Sequence, residues 1–174
     1  MNKNWLAANT FHYSHFGDLG GLVEKKQEKN LKISLCLPTL NEAKTIAKEI
    51  IIMKSELMTR YPLLDEIVVI DSGSTDDTVQ IAESFDAKVY RSDKLLPEHG
   101  SYKGKGENLW KALFITRGDI IVYLDADIKN IHHRFCYGLL GPLLLYDHIK
   151  YTLSLIHISE PTRLWSGSRM PSSA

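Results

Sequence analysis

The sequence predicts an α/β fold built on a doubly wound, mainly parallel sheet, and three observations predict it. Short apolar runs, too continuous for strands with one wet face, alternate with segments of helical period. The runs are rich in β-branched residues and of strand length. Three of them close on polar or acidic residues at their carboxyl ends, where sheets of this kind bind ligands.

Residues 1–30 are polar with scattered aromatics (Trp5, Phe11, Tyr13, Phe16), followed by GGLVEKKQEK. They read as an N-terminal arm and a short helix packed on the main domain. LKISLCLP (31–38) is a buried strand ended by proline, and Asn41 opens EAKTIAKEIIIMKSELMTRY. There Ile46, Ile50, Met53 and Leu57 recur every three or four residues, as on a helix with one buried face. EIVVID (66–71) is the second strand, and the capping-box pattern Ser74–Asp77 predicts a helix start after it. AKVYR (87–91) is a shorter strand, and SDKLLPEHGSYKGKG (92–106) is a loop dense in Gly, Pro and charge. ENLWKALFITR (107–117) is a third helix, and GDIIVYLD (118–125) is the fourth strand.

Composition excludes several functions. Of 174 residues, 44% are hydrophobic and 24% charged, as in ordinary globular chains, and 21 Lys and Arg balance 21 Asp and Glu. Nothing global therefore points to nucleic acid or to an anionic membrane surface. No apolar run approaches the ~18 residues of a membrane span, and no basic-then-apolar leader opens the sequence. Cys36 and Cys136 sit in apolar segments without metal-binding neighbours, as expected of reduced core residues in a cytoplasmic protein.

The strand ends carry the candidate chemistry: Pro38-Thr39-Leu40-Asn41-Glu42, then Asp71-Ser72-Gly73, then Asp125-Ala126-Asp127. Asp125 and Asp127, two residues apart, admit two readings. They cap the turn into KNIHHRF, or they hold a hard divalent cation such as Mg²⁺ or Mn²⁺ whose shell phosphate and water complete. Asp71 ends a strand where an acid often meets a ribose or base, and Gly73 suits either a close ligand or a tight turn. Lys103-Gly104-Lys105-Gly106, before a helix, suits a phosphate or is a solvated loop. His132 and His133 read as surface residues after a turn. No GxGxxG follows the first strand and no GxxxxGK[ST] occurs, which argues against a dinucleotide dehydrogenase or a P-loop NTPase.

The order LPTLNEA, EIVVIDSGSTDDT, GKGENLW, GDIIVYLDADI resembles the GT-A glycosyltransferases that use nucleotide-sugar donors. The SGSTDDT-type segment and the DxD are similar to those of family-2 glycosyltransferases. The narrower set Pro38…Glu42, Gly104…Trp110 and Gly138…Leu144 resembles the glucosyl-3-phosphoglycerate synthases, over residues 5 to 151 or so. The resemblance implies a truncated GT-A (Rossmann-like) domain and a retaining, metal-dependent transfer of glucose from a nucleoside-diphosphate-glucose to 3-phosphoglycerate. It further implies a cytoplasmic, homodimeric parent enzyme with no membrane span and no nucleic-acid partner. By motif, Pro38, Thr39, Leu40 and Glu42 would line the nucleobase and ribose pocket, with Asp71 and Ser72 continuing it. Lys105 would contact donor phosphate, and Asp125, Ala126 and Asp127 would hold ribose, sugar and metal, with Asp127 the direct ligand. Ala126 stands where relatives often carry Ser.

After Tyr151 the resemblance stops. TLSLIHISEPTRLWSGSRMPSSA (152–174) has no amphipathic period and resembles a translated sequencing adapter joined to a truncated frame. The expected division is arm (1–30), incomplete donor-binding domain (31–151) and non-native tail (152–174), with little or no transfer by this polypeptide alone. Leu139, Leu140, Leu143 and Leu144 are the expected exposed apolar surface. Two alternatives stand beside this reading: an inverting family-2 transferase acting on a lipid phosphate or polysaccharide, and a nucleotide-binding module without chemistry.

Overall fold

The computed structural model of the protein describes residues 3–100 and 105–154. Its elements follow the predicted alternation: α1 (Lys3–Ala8), α2 (Leu19–Glu28), β1 (Ile33–Thr39), α3 (Ile46–Lys54), β2 (Glu66–Asp71), α4 (Thr78–Ser84), β3 (Lys88–Arg91), α5 (Lys105–Ile115), β4 (Ile120–Tyr123) and α6 (Arg134–Leu145). The strands form one parallel sheet in the order β3-β2-β1-β4. The chain thus winds outward from β1 through β2 to β3, then returns to the other side of β1. That reversal puts the topological switch point between β1 and β4, the place where such sheets open a ligand crevice.

The buried strands divide their side chains between two apolar layers, as a two-residue period requires. Leu35, Leu37, Ile67, Val69, Val122 and Leu124 join the larger core with Ile46, Ile50, Met53 and Leu57 of the α3 segment and Leu140 and Leu144 of α6. Cys36, Val68 and Ile70 face the other way and pack with Ala112 of α5. Both cysteines are buried and free, and burial pushes the Cys36 thiol up to about 12, so it behaves as a small hydrophobe.

The amino edge of the sheet is stitched by paired polar groups. Glu66 is buried and accepts from Ser34 Oγ, Lys88 Nζ and the Arg117 backbone N–H, each at 2.7 Å. Lys26, buried on α2, pairs with Asp65 at 2.7 Å, and Asp65 also accepts the Ile33 N–H at 2.7 Å. Gly118 enters β4 so closely that a Cβ would lie 2.5 Å from the Ser34 nitrogen, which only glycine avoids.

Several sequence expectations need correction. β1 runs one residue past Pro38, because Pro38 pairs in register with Ile70 and Thr39 with Asp71. The long helix predicted after Asn41 starts later, at Ile46, and its last stretch, Ser55–Arg60, winds as a π-helix. The Ser74–Asp77 pattern forms no capping box: α4 begins at Thr78, whose N–H is accepted by Asp76 Oδ1 at 3.1 Å, Asp77 at the N-cap makes no side-chain cap bond, and the Ser74 hydroxyl donates to Asp71. The four leucines expected to be exposed, Leu139, Leu140, Leu143 and Leu144, are buried or half-buried. Leu140 and Leu144 are fully buried and Leu139 packs against the core, because the N-terminal arm covers this helix. Phe16 sits so tightly on Gly141 that a Cβ there would lie 2.2 Å from its ring. Trp110, Leu113 and Phe114 of α5 are exposed, as are Leu145 at the end of α6 and Leu40 after β1.

Candidate functional site

The loops that follow β1 and β2 are clamped together side chain to backbone. Asn41, at φ +59°, accepts the Thr75 N–H through Oδ1 at 2.8 Å, and its own N–H donates to Ser74 Oγ at 2.8 Å. The Glu42 N–H donates to Thr78 Oγ1 at 2.8 Å, and the Ala43 N–H to Asp76 Oδ2 at 3.2 Å. Asp71 is fully buried, and its carboxylate accepts the Gly73 and Ser74 N–H groups and the Ser74 hydroxyl. Its visible task is therefore to shape the turn in which Gly73 takes φ +97°. Ser72 projects from this turn, and its Oγ accepts from Asn108 Nδ2 at 2.7 Å, which also donates to the Ile70 carbonyl at 3.1 Å.

α5 is anchored behind this clamp by a polar face. Lys111 Nζ, fully buried, donates to the Ser92 carbonyl at 2.6 Å and pairs with Glu107 at 2.5 Å. The backbone of Lys105 opens the helix. The Lys105 side chain, like Lys103 and Gly104, lies outside the described residues.

The third loop follows β4. Leu124 continues the ladder with its N–H to the Cys36 carbonyl at 3.2 Å, and the chain then turns through Asp125, Ala126 and Asp127. Asp125 is half-buried, Ala126 buried and Asp127 exposed. The loop is tied to the β1 side by Thr45, whose Oγ1 donates to the Ala126 carbonyl at 2.5 Å. All three polar strand ends singled out in the sequence therefore share the carboxyl edge, and those after β1 and β4 flank the switch point.

The electrostatics of this edge are unrelieved. Burial and the nearby Asp127 push the Glu42 carboxyl above its ordinary value, with Asp76 adding to the push and a bond from Thr45 opposing it. Glu49, one turn into α3, is fully buried, and neither of its side-chain oxygens has a hydrogen-bond partner. Burial, with Asp125, Asp127 and Glu42, raises its carboxyl to about 8. Thr39 Oγ1, at the end of β1, is likewise buried without a partner.

These features bear on a metal. Among the described residues no three His, Cys, Asp or Glu side chains come together as a metal cage. Asp125 and Asp127 are a partial donor set, of the kind a hard divalent ion completes with phosphate and water oxygens. Burial is the main cause of the upward push on Glu42 and Glu49, and neighbouring acids add to it, Asp127 at both and Asp125 at Glu49. The residues present suit Mg²⁺ or Mn²⁺. His132 is exposed, with Nδ1 accepting the Arg134 N–H at 3.1 Å, and its ring lies tilted against that of the half-buried His133, in keeping with a turn at the surface.

The model of glycosyl transferase family 2 matches residues 34–168. The chain belongs to that family. Among curated relatives of this family-2 chain is the glucosyl-3-phosphoglycerate synthase of Petrotoga mobilis, 59% identical over 149 residues, which are 86% of this chain and 46% of the relative. Among solved structures, the mannosyl-3-phosphoglycerate synthase of Rubrobacter xylanophilus superposes with a TM-score of 0.78 at 36% identity, over 82% of this chain and 46% of that one. The glucosyl-3-phosphoglycerate synthase of Mycobacterium tuberculosis, in complex with Mn²⁺, UDP and glucosyl-3-phosphoglycerate, does so with a TM-score of 0.69 at 42% identity, over 78% and 47% of the two chains. The family-2 chain thus spans about half the length of the relatives it matches.

Sequence reasoning missed Thr45, Glu49 and Asn108. Glu49 carried a signal, because it lies three residues after Ile46 and four before Met53, squarely on the apolar stripe. Asn108, Lys111 and Ala112 likewise share one helical face, a polar one that packs inward. Thr45 had no such mark, since its bond crosses 81 residues of sequence.

Proposed function

We propose that this chain is the donor-binding part of a glucosyl-3-phosphoglycerate synthase, which transfers glucose from UDP-glucose to 3-phosphoglycerate with retention of configuration. The observation that carries the reading is the convergence of Pro38–Glu42, Asp71–Ser72 and Asp125–Asp127 on one edge around the switch point. The relatives support the chemical assignment, since structures similar to this chain hold UDP, Mn²⁺ and glucosyl-3-phosphoglycerate. In this reading Pro38, Thr39, Leu40 and Glu42 receive the uracil and ribose, with Ser72 at the pocket's floor and Asp71 holding its loop. Thr39 Oγ1 supplies a hydroxyl whose hydrogen-bonding capacity the free protein leaves unused.

Lys105 meets the diphosphate at the N-terminus of α5, where the helix dipole also favours an anion. Asp127, assisted by Asp125, holds the Mg²⁺ or Mn²⁺ ion, which neutralises charge developing on the departing diphosphate. The division into arm (1–30), donor domain (31–151) and a tail foreign to the enzyme (152–174) belongs to the same proposal, as does a cytoplasmic, dimeric parent. No helix among the described residues is long and apolar enough to cross a membrane.

The test is a calorimetric titration of this chain with UDP, with and without Mn²⁺, beside the Asp127→Ala variant. The expected result is affinity that rises with Mn²⁺ and a rise that Asp127→Ala abolishes. Affinity indifferent to metal and to Asp127 favours the module without chemistry. Product anomer analysis on a full-length relative separates retention from inversion.

A further inference from the structure

We propose that Thr45 is a positioning residue that sets the Asp125–Asp127 loop for a metal-bound diphosphate. The inference rests on the donor-site reading above. Thr45 occupies the N-cap of α3, where a threonine hydroxyl ordinarily accepts an N–H from the first helical turn. Here it makes no such cap bond. The hydroxyl donates instead across the switch point to the Ala126 carbonyl at 2.5 Å. A hydroxyl has one proton to give, and its approaches to the Glu42 carbonyl and carboxylate are longer, at 3.3 and 3.4 Å, so Ala126 is its principal acceptor.

The consequence follows from peptide planarity. The Ala126 carbonyl and the Asp127 nitrogen belong to one rigid unit, so holding that oxygen restrains the peptide plane from which Asp127 continues. Thr45 is itself held firmly. Its N–H and that of Ile46 donate to the Glu42 carbonyl at 3.1 and 3.0 Å, and the Glu42 N–H is held by Thr78. A continuous series of bonds thus runs from Asp76 and Thr78, through the Glu42 N–H and carbonyl and the Thr45 N–H and hydroxyl, to Ala126. The Thr45 hydroxyl thus ties the loop that would receive the base to the loop that would hold the metal. No other hydrogen bond recorded among the described residues links Glu42–Thr45 to Ala126.

The experiment compares this chain with Thr45→Val, which keeps the shape and removes the hydroxyl, and with Thr45→Ser, which restores it. Each is titrated with UDP plus Mn²⁺, with UDP alone and with metal-free UMP, and its urea unfolding midpoint is recorded. The proposal expects Thr45→Val to lose about fivefold or more in the Mn²⁺–UDP arm, as one lost hydrogen bond implies. Thr45→Ser should stay near wild type, and the UMP arm should not change. Wild type that responds to Mn²⁺ and a Thr45→Val variant that responds equally overturn this inference and leave the donor-site reading standing. A variant that loses its folded state, or weakens all arms alike, also overturns it, because Thr45 then serves the fold. Wild type indifferent to Mn²⁺ overturns both.

Discussion

Glu66 and Glu49 are both buried carboxyls packed about the same sheet, one at its amino edge and one beneath its carboxyl edge, and they are pushed in opposite directions. Burial alone would raise Glu66, but Lys88, the Arg117 N–H and the Ser34 hydroxyl outweigh it, and the carboxyl ends below its ordinary value. Glu49 meets no donor and faces other acids, so burial and like charge act together and raise it to about 8. The amino edge spends its polar groups on one another. The carboxyl edge leaves Thr39 and Glu49 unpaired and presents Asp127 to solvent. A fold selected only for stability would pair both edges, and under the proposed function the unpaired groups lie on the edge that takes the ligand.

Breaking the paired edge should have the largest effect. Glu66→Ala strands the Ser34 hydroxyl and the Arg117 N–H, and it should cost about 2–4 kcal/mol in urea denaturation at pH 7. Its pH signature follows from the lowered carboxyl. The charge-dependent part of the stabilisation is present above the unfolded-state value and disappears as pH falls through the folded-state value, so the gap between variant and wild type should narrow in acid. A constant difference down to acid pH would remove charge pairing as the cause.

Glu49 should give the opposite sign. Its folded-state value is raised, so its contribution is fully present below the ordinary carboxylate range and is lost as pH rises through about 8. Without metal, Glu49→Gln should therefore match wild type within about 1 kcal/mol at pH 5 and exceed it by about 2 kcal/mol at pH 9. A variant less stable than wild type at pH 9 would mean that Glu49 is paired when charged, and the contrast between the edges would fail.

Thr39→Val offers the smallest effect. Replacing a buried, unpartnered hydroxyl by a methyl of the same shape should stabilise the free protein by about 1 kcal/mol, since an unmet polar group is removed. Under the proposed function the same change weakens UDP binding severalfold. Gain of stability with loss of affinity would sharpen the comparison. Loss of both would show that Thr39 serves the fold.

Much of this architecture was legible in the sequence. EIVVID reads as a strand and is one, residue for residue, because a β-branched apolar run of that length has few other ways to bury itself. The polar ends after β1, β2 and β4 were equally plain, and the parallel fold brings them to one edge. Ser74 misled, because the same hydroxyl can cap a helix or close a turn, and the neighbouring Asp71 decided for the turn. The leucines of α6 misled for a similar reason. A local pattern marks a face as apolar, but only the docking of Phe16 on Gly141 says what covers it.

Chain-local physics, meaning the periods of burial and the chemistry of residues adjacent in sequence, was sufficient to set the strands, most of the helices and the candidate acids. Which polar groups were to be paired, and which left waiting, was decided by contacts spanning tens of residues: Glu66 with Arg117, Asn108 with Ser72, Thr45 with Ala126. A hydrogen bond is satisfied in space and not in sequence, so Glu66 and Glu49 read alike along the chain. Only the assembled sheet gave one of them partners and the other none.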